Sequence, residues 1–338
     1  MKSNVTRLSL VTLALVLILS GKAPVSADET LTYRLKWLYN ASVVGDVYAV
    51  DKGYFTQKGL SVTVKAGSPE RDAIRELELG QAQFGTASAD QVITARQKGA
   101  PVVVIAQLFQ KNPLQWIYRP DRGIIHGMED LRGKTIGITY GGNDETIMRA
   151  LLKKHDIDEH DVSFHSVRYD YTPFFRKQVN IWPVYINTQG IILQDKFVRE
   201  DEHVRFFDPS QHGIRFVANS VVTSMKMIKE RPETVKTFIT VLLKAWEDAL
   251  SPENREQALK VLALYDRDTP PDIRAKQLAA TRPLIHPEHG RPLGTIDKNA
   301  WVQTESIMRE QGLIRKPVSI LDILYQNGEA PKSVSSPR

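Results

Sequence analysis

Residues 31–64 read LTYRLKWLYNASVVGDVYAVDKGYFTQKGLSVTV, and their pattern decides the fold class. Leu31, Tyr33, Leu35 and Trp37 alternate with polar residues, the period of a strand. A helix is predicted from about Gly45 to Asp51, closed by Lys52-Gly53-Tyr54-Phe55, and Leu60, Val62 and Val64 form a second strand. The rhythm continues with a helix over about 69–79 that starts at Pro69 and ends at Gly80, a short strand over 83–86, a helix over 90–98 stopped by Gly99, and the buried strand PVVVIA at 101–106. Alternating strands and helices predict an α/β fold with a mostly parallel sheet and helices on both faces.

A second unit opens near Tyr118, after which ArgProAspArgGly (119–123) is turn chemistry. It contains a strand over 135–139, a helix over about 144–155, strands over 162–167 and 181–186, a helical turn over 174–177 and a strand over 213–217. From Arg231 the chain becomes helical: Val235, Phe238, Ile239, Leu242, Trp246 and Ala249 form an amphipathic stripe that belongs to the core. Further helices are predicted over 256–265, 271–280 and 298–311, and the tail over 327–338 reads as disordered.

The first 27 residues stand apart. Lys2 and Arg7 precede the apolar run Leu8–Leu19, and Val25-Ser26-Ala27 offers a small-x-small cleavage site before Asp28, the pattern of a secretory signal peptide. Twelve apolar residues are too few to cross roughly 30 Å of hydrocarbon. The expected location is therefore periplasmic. The sequence contains no cysteine, which excludes disulfides, iron–sulfur clusters and cysteine nucleophiles. Loss of Lys2, Arg7 and Lys22 with the leader lowers the formal charge from +6 to +3. No clustered basic face suggests nucleic acid.

Catalytic motifs are missing or malformed. GMEDLRGKT (127–135) has five residues between its glycines where a phosphate loop needs four. No HExxH or GxSxG occurs, and His286 and His289 in HPEH read as a polar loop. Neither a cofactor nor a metal is expected.

Chemistry concentrates instead at the predicted strand ends, the edge where open α/β sheets bind ligands. Trp37, Tyr39 and Asn40 follow the first strand; Ser88 and Asp90 follow the third; Gln107 and Gln110 follow the fourth. In the second unit Gly141, Gly142, Asn143 and Glu145 lead into a helix, with Asn143 expected as its N-cap. Tyr169, Asp170, Trp182, Tyr185 and Asn187 lie around the next two strands. Each alone reads as a cap or a core residue; together they place aromatic faces and amides on one edge, with few charges. That combination favours a neutral aromatic ligand over a sulfonate, which calls for arginine.

These blocks resemble the NMT1/THI5-like family of substrate-binding proteins: 35–64, LELGQAQFGTASADQV (77–92), ARQKGAPVVVIAQ (95–107), DLRGKTIGITYGGNDETIMRALL (130–152), HGIRFVANSVVTS (212–224) and GTIDKNAWVQTESIMREQGLI (294–314). The resemblance implies a type II periplasmic-binding-protein fold with a ligand cleft and a hinge. One lobe would hold 28–117 and 222–326 and the other 118–221, with crossings near Trp116–Arg119 and Asn219–Thr223. It implies an ABC importer's solute-binding protein, a monomer serving a permease and its ATPase, with a thiamine-pyrimidine-like ligand. Trp37 and Asn40 would stack on and read the ring, and Gly141–Glu145 would reach it from the second lobe. Lys177-Gln178-Val179-Asn180 departs from the family's usual Gly-x-Val-Asp, and no proline follows Trp37. Two alternatives stand beside this reading. One is a sulfonate or taurine binder using Arg168 or Arg176. The other is a pyrimidine-synthesising enzyme like the eukaryotic family members, which lacks its cysteine motif here.

Overall fold

The computed structural model describes residues 30–68, 71–167, 170–286 and 291–325. The leader, Pro69, Arg168, Tyr169, His289 and the 327–338 tail lie outside the described residues.

The first sheet begins with β1 (Leu31–Arg34), α1 (Val44–Asp51), β2 (Val62–Lys65), α2 (Ala73–Glu78), β3 (Phe84–Ala87), α3 (Ala89–Gln97) and β4 (Val102–Gln107). The chain then forms a second sheet from β5 (Leu114–Tyr118), β6 (Thr135–Ile138), α4 (Asn143–Lys154), β7 (Ser163–Ser166), α5 (Thr172–Phe175), β8 (Ile181–Tyr185), α6 (Gln189–Arg199) and β9 (Arg205–Phe207). It returns through β10 (Ser220–Ser224) to the first lobe and ends in α7 (Met225–Glu230), α8 (Pro232–Leu250), α9 (Arg255–Tyr265), α10 (Pro271–Ile285) and α11 (Lys298–Glu310). Strand orders are β2-β1-β3-β10-β4 and β7-β6-β8-β5-β9, the same pattern twice.

Both sheets are mixed. β1 runs parallel to β2 and β3, and β6 runs parallel to β7 and β8. The strands next to the crossings, β10 and β5, pair antiparallel to their neighbours on either side. This corrects the expected crossings. Leu114–Tyr118 pairs with β8 and β9, so the whole of β5, including the fully buried Trp116, belongs to the second sheet. Residues 220–224 lie between β3 and β4. The chain therefore crosses earlier, over 108–113 and again before Ser220, where Asn112 Nδ2 donates to the Phe216 carbonyl at 2.9 Å and the Leu108 and Phe109 N–H groups donate to the Asn219 carbonyl. An apolar strand is needed to fill the place between β8 and β9, and LQWIY supplies it. The strand expected over 213–217 is irregular, because this stretch is part of the return crossing. Two helices, α6 and α7, were not anticipated, and α2 begins at Ala73 behind an Asp72 cap, not at Pro69.

The aromatic stripe of α8 packs as expected. Phe238 stacks on Phe84 and Phe55 and meets Tyr33 edge-on. Gly45 lets α1 lie against α8: a Cβ there would fall 2.1 Å from Trp246 Cγ. Each fully buried large side chain of this core contributes roughly 1.5–3 kcal/mol of transfer free energy.

Candidate functional site

The carboxyl ends of β1, β3, β6 and β8 face one another, and the side chains just beyond them form the cleft. After β1, the Lys36 N–H donates to Thr86 Oγ1 at 3.1 Å, which ties this turn to β3. Trp37 is half-buried and lines a cavity of about 100 Å³ with Lys36, Ser68, Asp72, Ala73, Thr86 and Gln91. That is below the roughly 300–1,000 Å³ of ordinary ligand pockets, and all of its lining residues belong to the first lobe. A larger groove, about 460 Å³, lies between α4 and α11 and is lined by Lys153, Lys154, Gln303 and Gln311. It is remote from the strand ends and has no aromatic lining.

Lys36 joins the lobes. Its Nζ reaches within 3.5 Å of the Tyr185 hydroxyl and lies 6.0 Å from that ring's centre. Burial works against its charge, but Tyr185, Asp90 and Asp144 together hold its pKa above the ordinary lysine value. Asp90 stands in the first turn of α3, and its Oδ1 is buried without a hydrogen-bond partner among the described residues. Asp144 stands in the first turn of α4, accepts the Thr139 N–H at 2.6 Å, and is pushed by burial up to about 6. The expected scarcity of charge at this edge is therefore corrected: one ammonium meets two aspartates.

The other sequence-predicted residues divide sharply. Tyr39 is spent within the first lobe: its hydroxyl donates to the Val64 carbonyl at 3.0 Å and accepts the Ala66 N–H, and its ring leans on Tyr265. Asn40 is a cap, with Oδ1 accepting the Ser42 N–H at 2.8 Å. Ser88 and Gln91 make a capping box at the head of α3. Gln107 is buried, accepting the Asp297 N–H and donating to the Phe109 carbonyl, and Gln110 donates to the Gln107 and Thr295 carbonyls.

In the second lobe Gly142, not Asn143, is the N-cap of α4, because a Cβ at 142 would fall 2.4 Å from Asp144 Oδ1. Gly141 has φ +78°, which its lack of a Cβ permits. Asn143 heads the helix with its Nδ2 buried and unpaired among the described residues. Glu145 is consumed by Arg149 at 2.9 Å and by the Gly141 N–H. Asp170 is exposed in the turn before α5, where its Oδ1 accepts the Thr172 N–H. Trp182 is a core residue packed on Tyr171 and Phe174. Asn187 is fully buried between the lobes, donating to Ser42 Oγ and Thr281 Oγ1, each at 2.9 Å. Arg176 is exposed.

The structure thus gathers Trp37, Asp90 and Tyr185 in the cleft and adds Lys36 and Asp144. A lysine between Leu35 and Trp37, two residues past a fully buried strand, was the legible signal for Lys36. Asp144 looked like an ordinary first-turn acid. Among the described residues no group of three or more His, Cys, Asp or Glu could hold a metal ion, and no helix is long and apolar enough to cross a membrane.

Two α/β lobes with strand edges meeting at a cleft, crossed twice by the chain, define the type II periplasmic-binding-protein fold. The family model "NMT1/THI5 like" matches residues 40–255, and the chain belongs to that family. It is 23% identical over 309 residues to the riboflavin-binding protein RibY of Chloroflexus aurantiacus, covering 86% of this chain and 84% of that protein. It is 23% identical over 318 residues to the formylaminopyrimidine-binding protein of Halalkalibacterium halodurans, covering 90% and 94%. The periplasmic aliphatic sulphonate binding protein SsuA of Escherichia coli superposes with a TM-score of 0.70 at 17% identity, covering 93% of this chain and 96% of that one.

Proposed function

We propose that this protein, an extracytoplasmic solute-binding component of an ABC-type transporter, captures a small planar nitrogen heterocycle bearing N–H donors, of the thiamine-pyrimidine-precursor kind. It hands this ligand to a membrane permease driven by an ATPase, acting as a monomer with a leader that directs export. The observation that carries the ligand class is the buried carboxylate oxygen of Asp90, unpaired among the described residues, beside a cleft that also holds Asp144. An unpaired buried acceptor is costly until a donor reaches it, by roughly 1–3 kcal/mol. A ring amine or ring N–H supplies that donor, while the Trp37 indole at the cavity wall offers a face to stack on. The names of two relatives aligned along most of their length, a riboflavin binder and a formylaminopyrimidine binder, support the same class.

A sulfonate binder is the second reading. It has the fold likeness to SsuA and the Lys36 ammonium on its side. A sulfonate carries only acceptors, however, and would add negative charge beside Asp90 and Asp144. A thermal-shift screen of the purified protein against pyrimidines, flavins and sulfonates separates the two. Stabilisation by aminopyrimidines is expected; stabilisation by sulfonates alone would reject the heterocycle.

A further inference from the structure

Helix α10 belongs to the first lobe, yet it meets the second lobe from the crossing outward. At its C-terminal end the Leu284 carbonyl accepts the Gln110 and Lys111 N–H groups of the outgoing crossing, at 2.8 and 3.1 Å. About one turn earlier, Thr281 Oγ1 accepts from Asn187 Nδ2 of the second lobe at 2.9 Å. The same Nδ2 donates to Ser42 Oγ in the first lobe at 2.9 Å. One turn further out, Gln277 Nε2 donates to the Thr188 carbonyl at 3.3 Å. Beyond it Lys276 pairs with Asp195 at 2.5 Å, and Asp272 pairs with Arg199 at 3.3 Å, both partners lying on α6. Burial falls along this series. Asn187, Thr281 and Gln277 are buried, whereas Lys276, Asp272 and Arg199 are exposed. A hydrogen bond screened from water holds more firmly than an exposed ion pair. The firm bonds therefore lie next to the crossing, and the weak ones lie up to about 18 Å further along the helix axis.

We propose that this side of α10 is a latch that holds the two lobes together through the chain's own bonds, with Asn187 as its pin and the exposed ion pairs as its loose outer end. The latch uses no atom of a ligand. It raises the share of the closed form before a ligand arrives, and so lowers the conformational cost that the ligand has to meet. Ser42 follows the turn that carries Trp37, so the pin also steadies the loop that lines the cavity. The latch carries its own counterweight. Asn187 Oδ1 and Gln277 Oε1 are buried with no hydrogen-bond partner among the described residues. Separating the lobes lets water reach both oxygens, which offsets part of what the broken bonds cost. A polar seam of this kind opens and recloses, as interfaces between mobile domains do.

The sequence has no cysteine, so T63C and S163C, at exposed positions on the outer strands of the two sheets, accept one pair of nitroxide labels. Double electron–electron resonance on the dialysed, labelled protein then reads the distance between the lobes. In the otherwise parental chain a single short distance should dominate. Adding N187A should raise the long-distance population by about tenfold, and T281V by about fivefold. Adding D195N at the outer end should raise it by under about threefold. Melting curves establish that each variant folds. Identical distance distributions for the parent and folded N187A overturn the proposal. A parent dominated by the long distance overturns it too, as does a D195N effect equal to that of N187A. Should N187A fail to fold, T281V exchanges one hydroxyl for a methyl at nearly equal volume and carries the same test. None of these measurements uses a ligand, so their outcome is separate from that of the heterocycle reading.

Discussion

Asp46 and Asp144 occupy corresponding places in the two lobes, each in the first turn of the α-helix that follows the second strand in its sheet's order, β1 or β6. Burial raises the pKa of both, Asp46 to about 7 and Asp144 to about 6. Their surroundings differ. Asp46 Oδ1 accepts from the Tyr33 hydroxyl and the Trp246 indole N–H, both at 3.0 Å, inside the first lobe's core. Asp144 holds the Thr139 backbone at the cleft and faces Lys36. One fold position thus yields a structural acid in one lobe and a site acid in the other. What decides is whether the long C-terminal helix α8 covers the position: it covers Asp46 through Trp246. The first lobe's core is thick because it owns the C-terminal helices, whereas the second lobe keeps its helix heads for the cleft.

The largest test of this contrast uses two indoles that the sequence placed together. Trp182→Ala should lower the unfolding free energy by about 3–5 kcal/mol, because it empties a core packed on Phe174 and Tyr171. Denaturant melts measure this, and a loss under 1 kcal/mol would return Trp182 to the cleft.

The two aspartates are separated by pH. Asp46 in the folded protein holds its proton up to about 7, while in the unfolded chain it releases it near 3.8. Its contribution is therefore complete below 3.8 and is lost as pH rises toward 7. Over that window parent stability should fall relative to Asp46→Asn by up to roughly 1.4 kcal/mol per pH unit. Parallel stability–pH curves for the two proteins would show that Asp46 ionises freely. Asp144 should act on binding instead: lowering pH through about 6 protonates it and weakens a donor-bearing ligand, an effect that Asp144→Asn removes.

Trp37→Ala should leave the melting temperature nearly unchanged and cost about 1–3 kcal/mol of ligand affinity. Equal affinity in the variant, read by calorimetry, would remove Trp37 from the ligand's surface. The smallest effect is expected at the rim. Lys276 pairs with the half-buried Asp195 at 2.5 Å across the lobes, and the exposed Arg199 reaches Asp272 at 3.3 Å. Asp195→Asn should change affinity by under about 1 kcal/mol and flatten its salt dependence. A larger, salt-independent change would mean that these pairs hold the lobes as a buried lock.

Legibility followed the range of the interactions. Strands and helices of the βαβ rhythm were readable because hydrophobic period, turn glycines and caps are local. The strand LQWIY at 114–118 was misplaced because its own pattern does not say which sheet has room for it. Asn40, Ser88 and Glu145 were readable as polar residues at strand ends. Their competing role, capping the next helix, was equally local: in the folded protein backbone N–H groups take Asn40 and Glu145, and Gln91 Oε1 accepts from both the N–H and the hydroxyl of Ser88. Asn187 looked like a ligand contact and is a buried interlobe bond to Ser42 and Thr281, residues remote in sequence.

By itself the sequence determined the α/β class, the edge of the sheets on which chemistry gathers, the indole of residue 37 at that edge, and the absence of thiol chemistry. These follow from composition and from periodicities of a few residues. Only the tertiary structure decided which polar groups remain for a ligand. Every cap, crossing and interlobe contact draws on the same supply of donors and acceptors, and the balance is settled when the second sheet comes to face the first. That meeting sets Lys36 against Tyr185, Asp90 and Asp144 and retires Tyr39, Gln107 and Trp182 into the framework.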